Sequence, residues 1–131
     1  MKDMVRLFKL FSDETRLRIF MLLAQRELCV CQLMGVLGIS QPLVSRNLSL
    51  LNGARLLDER REGKLVFYSL TKRPASAVSK IVSLLKTELK GDKRLESDLK
   101  SLSDCYEFQK KTGKCDMKTF LSFMKKQRGK R

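Results

Sequence analysis

The chain has 131 residues, enough for one domain with a short appendage. Its 28 lysine and arginine residues outnumber 14 acidic residues, which gives a formal net charge of +14, and 43% apolar residues supply an ordinary core. Histidine is absent, which excludes histidine bases, serine–histidine triads and imidazole metal sites. No apolar run approaches the roughly 20 residues of a membrane span, and residues 1–10 mix charged and apolar positions, unlike a secretory signal. We therefore expect a basic cytoplasmic binding protein with no membrane partner and no enzymatic activity.

The positive charge is spread along the sequence. Residues 1–90 carry a net charge of +8 and residues 91–131 a net charge of +6. A surplus of this size attracts polyanions, among which nucleic acid is the commonest large one. On charge alone, a solvated basic surface explains the composition equally well.

The first half of the chain shows the apolar spacing of four helices. The first covers residues 1–11, and Ser12 is placed to cap the second. Gly38 ends the third helix. Ser40 caps the fourth, with Pro42 in its first turn. The apolar positions, helix by helix, are Val5, Leu7, Phe8 and Leu10; Leu17, Phe20, Met21 and Ala24; Val30, Leu33, Met34 and Leu37; and Val44, Leu48 and Leu51.

The residues after the fourth helix change to the pattern of a β-hairpin. Two runs that suit strands, residues 57–61 and 64–70, flank a turn at Glu62 and Gly63. The tip of this hairpin is basic, because it carries Arg60, Arg61 and Lys64.

Helical spacing returns in the last part of the chain. Pro74 opens a long helix, and Gly91 ends it. A further helix follows, and a last one begins after Asp116, which is placed to cap it. Their apolar positions are Val78, Ile81, Val82, Leu85 and Leu89; Leu95, Leu99, Leu102 and Tyr106; and Met117, Phe120, Leu121 and Met124. We predict a DNA-binding and dimerisation domain over residues 1–90 and a basic helical extension over residues 91–131.

Two short helices joined by a glycine-containing turn and followed by a two-stranded ribbon form a winged helix-turn-helix. The predicted fold is mainly α with a small β-hairpin wing, in the order α-α-α-α-β-β-α, followed by the helical extension. The fourth helix is expected to enter the major groove with four polar residues outward: Gln41, Ser45, Arg46 and Ser49. Arg60, Arg61 and Lys64 would contact the flanking backbone or the minor groove. The alternative is a helical scaffold with a solvated polar face.

Three stretches of the sequence resemble the ArsR/SmtB family of metal-responsive repressors, of the arsenical-resistance operon type. These are residues 11–19 (FSDETRLRI), 27–33 (ELCVCQL) and 40–48 (SQPLVSRNL). The resemblance covers about residues 4–90. It implies a homodimeric winged-helix repressor, paired through its terminal helices, that binds double-stranded operator DNA with an inverted repeat and leaves it on binding an inducer.

The cysteine pair Cys29 and Cys31 has a spacing that limits how it can bind one ion. Residues i and i+2 of an intact helix point about 200° apart, whereas two thiolates on one soft ion must converge, because metal–sulfur bonds are only about 2.3 Å long. The pair therefore binds one ion only where the first helical turn unwinds or the helix begins after Cys29.

The family resemblance implies the inducer. Arsenic-sensing members carry a third cysteine three residues after this pair, at the position of Met34 here. As(III) and Sb(III) prefer three soft thiolates, so we expect Cys29 and Cys31 as ligands with a third from the extension. The alternative is a two-coordinate site in which Cys29 and Cys31 act alone. We favour Cys115, which precedes a predicted helix N-terminus that lowers a thiol pKa, over Cys105.

Two alternative inducers remain open at this point. Related cadmium- and lead-sensing members use a similar cysteine pair with cysteines from a terminal extension, and four thiolates would suit Cd(II) or Pb(II). A thiol redox sensor that forms a disulfide under oxidation is the alternative of a different class.

Overall fold

The computed structural model describes residues 1–113 and 122–127, and it is mainly helical with one small sheet. The elements are α1 (Lys2–Phe11), α2 (Glu14–Leu23), β1 (Leu28–Cys29), α3 (Val30–Leu37), α4 (Gln41–Gly53), β2 (Leu57–Glu62), β3 (Leu65–Leu70), α5 (Ser76–Glu88) and α6 (Lys93–Thr112). Residues 122–127 are also helical. None of the helices in the described part of the chain is both long and apolar enough to cross a bilayer. The predicted class, mainly α with a hairpin wing, is confirmed.

The sheet contains one strand more than the sequence predicts. Its order is β1-β3-β2, with both pairings antiparallel. The predicted hairpin is β2–β3, in register from Leu57–Leu70 to Glu62–Leu65. The additional strand β1 contains two residues, and it pairs Leu28 with Tyr68 and Cys29 with Phe67. The cysteine segment is therefore part of the wing sheet.

The core centres on α2. Its residues from Ile19 to Leu23 are all buried, because α1, α4 and α6 all pack against this helix. A helix covered on several sides is apolar around most of its circumference rather than along one stripe. The inner face predicted for α4 is confirmed, since Val44, Leu48 and Leu51 are at most 2% exposed.

Some helix ends differ from the prediction. Asp13 rather than Ser12 caps α2, and its carboxylate accepts a bond of 2.9 Å from the Arg16 N–H. Ser12 instead lies at the C-terminal end of α1, where its hydroxyl donates to the Lys9 carbonyl. Gly38 ends α3 in the left-handed conformation, as predicted. Ser40 precedes α4 as predicted, but its side chain makes no cap hydrogen bond.

Helix α6 packs directly on α2 and α3. The carboxylate of Asp98 accepts two bonds of 2.8 Å from the Arg18 guanidinium, and its side chain is only 5% exposed. At the next turn, the Ser101 hydroxyl donates to the Val36 carbonyl at 2.8 Å. Tyr106, predicted on an apolar face, is half exposed and lies under Arg26. The first part of the extension is therefore bound to the winged-helix core. Of the predicted last helix, Met117, Phe120 and Leu121 lie outside the described residues.

Candidate nucleic-acid interface and thiol centre

Helix α4 presents a polar, cationic face to solvent. Gln41, Ser45, Arg46 and Ser49 are all exposed, and Gln41 and Pro42 form its first turn. In the described part of the chain, no acidic side chain pairs with Arg46. An unpaired guanidinium on an exposed helix face is free to contact a base edge or a phosphate.

The inner face of α4 carries one polar residue, Asn47, which is 3% exposed. Its side-chain oxygen accepts a bond of 3.1 Å from Arg16, whose guanidinium also donates to the carbonyls of Leu10 and Lys9. Arg16 therefore fixes the orientation of α4 relative to α1 and α2. The local sequence pattern does not predict this role, although Asn47 lies three residues after Val44, at an inward position of the helix.

The three basic residues of the wing that are predicted to contact DNA have different surroundings in the structure. Arg61 and Lys64 are exposed, and neither forms an ion pair within the described residues. Arg60 donates two bonds of 2.7 and 2.9 Å to Glu27 and one of 2.8 Å to Glu62. Its guanidinium carbon also lies 4.7 Å from the centre of the Phe67 ring. Arg60 is therefore engaged within the sheet, whereas the other two are available to a ligand.

The two cysteines of the predicted thiol site lie on either side of a helix start. Cys29 is the last residue of β1 and precedes α3 with an extended backbone (φ −96°, ψ 172°). Cys31 lies in the first turn of α3. Because the helix begins after Cys29, the helical repeat does not force the two side chains apart. The structure thus meets the geometric condition under which the pair can bind one soft ion.

A side-chain amide links this segment to α6. Gln32 accepts a bond of 2.9 Å from the Cys29 backbone N–H and donates one of 2.9 Å to the Gln109 side chain. Cys29 is 2% exposed, and Cys31 is partly buried. The conformation at Cys29 is therefore coupled to the position of α6.

Of the two candidates for a third thiolate, Cys105 lies within the described residues and Cys115 lies outside them. Cys105 is buried on α6, between Ser101 and Gln109, the two residues whose hydrogen bonds reach α3. Residues at i, i+4 and i+8 lie along one helix face, so Cys105 belongs to the face directed toward α3. Within residues 1–113 and 122–127, no three cysteine or carboxylate side chains are grouped as a metal site.

Met34 lies at the position where the family resemblance implies a third cysteine. It is 6% exposed and belongs to the hydrophobic core. Its thioether therefore contributes to packing, and it is a neutral, weaker donor than a thiolate. The donor set of the described cysteines is soft, which fits a thiophilic ion.

Comparison with known proteins identifies the family. Residues 13–59 match the model of the bacterial regulatory proteins of the arsR family. The chain is 46% identical to the arsenical resistance operon repressor of Escherichia coli strain K12 over 79 aligned residues. The aligned stretch covers 60% of this chain and 68% of that repressor. The chain belongs to the ArsR family. The resemblance inferred from its three sequence motifs is confirmed.

Two further relatives extend the comparison. A cadmium resistance transcriptional regulatory protein homologue of Staphylococcus aureus is 41% identical over 69 residues, which cover 52% of this chain and 57% of that protein. A homodimeric winged helix-turn-helix DNA-binding domain of Mycobacterium bovis superposes with a TM-score of 0.58 at 26% identity, over 70% of this chain and 82% of that domain. The protein is thus an ArsR-family transcriptional regulator with a winged-helix DNA-binding fold, and the members of this family are regulators rather than enzymes.

Proposed function

We propose that this ArsR-family regulator represses an arsenical-resistance operon and leaves its operator when As(III) or Sb(III) binds cysteine thiolates. The observation that carries the proposal is the start of α3 between Cys29 and Cys31, because the helical repeat then does not direct the two thiols apart. The 46% identity to an arsenical resistance operon repressor supports this choice of inducer.

The operator-binding surface of the proposal consists of α4 and the wing. Gln41, Ser45, Arg46 and Ser49 contact base edges in the major groove, where glutamine suits adenine, arginine suits guanine, and serine suits either. Arg61 and Lys64 contact phosphates beside the groove. The cationic side chains of Arg46, Arg61 and Lys64 are exposed and form no ion pair within the described residues, which supports this assignment. Arg60, which the sequence also predicts here, is held by two carboxylates, and its role is considered below.

The dimer surface of the proposal consists of α1 and α5. Helix α1 buries Leu7 and Leu10 against the core but leaves Phe8 66% exposed. Helix α5 leaves Leu84 58% exposed. We propose that these exposed side chains of α1 and α5 form one dimer patch, since exposed apolar patches mark protein–protein contacts. A two-fold dimer through these helices would match an inverted-repeat operator, and the related Mycobacterium bovis domain is homodimeric.

The inducer site of the proposal contains Cys29, Cys31 and a third thiolate from the extension. Cys115 is the favoured third ligand, and Cys105 is the alternative. The docking of α6 on α3, through Ser101 and Gln109, supports a contribution from the extension. Arsenite and antimonite bind as trihydroxides, and each thiol that displaces a hydroxyl group gives its proton to that group, which leaves as water.

A cadmium- or lead-responsive regulator is the second candidate. The chain contains four cysteines, which suits the softer divalent ions, and the Staphylococcus aureus relative is a cadmium resistance regulator. In this case all four thiolates would contribute to the site.

The test is a titration of the operator complex with arsenite, antimonite, Cd(II), Pb(II) and an oxidant, followed by fluorescence anisotropy of labelled DNA. We expect arsenite and antimonite to release the DNA from the wild-type protein. Cys29→Ser and Cys31→Ser should still bind the operator but fail to respond. Release of both variants by arsenite would contradict the site, and release by Cd(II) or by oxidation alone would select one of the other inducers.

A further inference from the structure

The strand that carries Cys29 is joined to the wing by more than its own short ladder. In the register of the sheet, Cys29 pairs with Phe67, and Phe67 pairs with Arg60 on its other side. Residues paired across neighbouring strands lie on the same face of a sheet. One row across all three strands therefore contains the thiol, the aromatic ring and the guanidinium.

The side chain of Arg60 spans this row. From β2 it passes over the Phe67 ring of β3, at 4.7 Å, and donates two hydrogen bonds to Glu27, one residue before β1 begins. Arg60 donates a third bond, through Nη1, to the Glu62 carboxylate at 2.8 Å. We call Arg60, Glu27, Glu62 and Phe67 the Arg60 clamp.

We propose that Arg60 is a positioning residue for the thiol centre, which holds β1 and Cys29 against the wing through Glu27 and transmits inducer binding to the wing. The proposal rests on the proposed function for the identity of the inducer. Strand β1 contains only two residues, which is too short for it to hold its place by ladder bonds alone. The clamp adds charge-assisted bonds to Glu27, the residue directly before that strand.

The clamp also explains why Arg60 differs from its neighbours. A phosphate contact by Arg60 would require the guanidinium to leave Glu27 and Glu62, and it would bring both carboxylates close to the DNA backbone, where like charges repel. Arg61 lies on the opposite face of β2, and it forms no such pair within the described residues. Arg61 and Lys64 thus remain the phosphate contacts of the wing.

The variants Arg60→Gln, Glu27→Gln and the double substitution test the proposal, with Glu107→Gln as the matched control that removes an exposed carboxylate outside the sheet. The first measurement is the rate at which N-ethylmaleimide alkylates Cys29 in the free protein, followed by fragment-ion mass spectrometry. Both single variants should raise this rate by about threefold, as expected for the loss of a partly exposed ion pair. The alkylation rate of the double variant should equal that of either single variant, and the rate of Glu107→Gln should equal that of the wild type.

The second measurement is operator affinity with and without saturating arsenite. Both single variants should keep the basal affinity and its salt dependence, while the factor by which arsenite weakens binding should shrink about fivefold, within the usual range of allosteric coupling. The proposal would be overturned if the two single variants changed operator affinity differently. In that case Arg60→Gln would weaken operator binding and lower its salt dependence by about one unit of slope, as for a phosphate contact. Glu27→Gln would keep the wild-type affinity or bind more tightly.

Wild-type behaviour in both measurements would also overturn the proposal. If the wild-type operator complex survives arsenite, the proposed function fails, and transmission through the clamp fails with it. The alkylation rates then still decide whether Arg60 holds β1 in place.

Discussion

Replacing Asp98 by asparagine should destabilise the protein although this residue lies in the extension. The wild-type carboxylate accepts two bonds of 2.8 Å from Arg18, and the side chains of Asp98 and Arg18 are only 5% and 13% exposed. In the wild type the hydrogen bond to Asp98 raises the pKa of Arg18. The guanidinium stays charged after the substitution as well, because arginine is protonated at neutral pH with or without a partner. Removing one partner of a buried pair costs about 3–5 kcal/mol.

The expected cost of Asp98→Asn lies below that range, at about 2 kcal/mol, because asparagine still accepts one hydrogen bond and Arg18 retains some contact with water. Urea denaturation measures it, since guanidinium chloride would screen the ion pair. The protein concentration must be fixed if the protein is a dimer. Glu107→Gln, which removes an exposed carboxylate from the same helix, is the control. An equal change in the free energy of unfolding for both variants would refute the buried role of Asp98.

Three further predictions follow from the site. Arg46→Ala should weaken operator binding by about 1–3 kcal/mol if the residue contacts a base, as measured in a gel-shift assay; unchanged affinity would remove Arg46 from the interface. Asn47→Ala should cost about 1–3 kcal/mol of folding free energy, since it leaves a buried bond of Arg16 unmade, and urea denaturation would show it; a neutral effect would contradict the linking role. Burial raises the pKa of Tyr68 above its ordinary value of 10.0, so its neutral form stabilises the fold below pH 10, and this contribution is lost as the pH rises through the raised pKa. The wild type should therefore lose more stability than Tyr68→Phe as the pH rises above about 10; parallel losses would contradict the shift.

Local patterns predict most of the helices and the hairpin. The apolar spacing of α4 identifies its buried face, because neighbours at three and four residues lie on one side of a helix. Gly38 ends α3 because it adopts a left-handed conformation that other residues reach only at a cost. Such features depend on nearby residues alone and are therefore visible in the sequence.

Long-range pairing accounts for what the sequence does not reveal. Strand β1 contains two residues and exists only because β3, almost forty positions away, pairs with it. The charge of Asp98 suggests an exposed position, and its partner Arg18 is 80 residues away. Arg60 is also paired with a distant residue. Its basic character predicts a contact with DNA, but its partner Glu27 lies 33 residues earlier in the sequence. The condition on Cys29 and Cys31 follows from helix geometry, but the residue at which α3 begins depends on the pairing of β1.

X-ray absorption at the arsenic edge of the arsenite-loaded protein tests the central claim most directly. The account predicts three sulfur ligands in the wild type and one fewer in Cys29→Ser and in Cys31→Ser. A loss of one sulfur in Cys115→Ser supports the favoured third ligand, and a loss only in Cys105→Ser assigns the role to Cys105. An unchanged sulfur count in both Cys29→Ser and Cys31→Ser would contradict the account, because the inducer would then bind elsewhere.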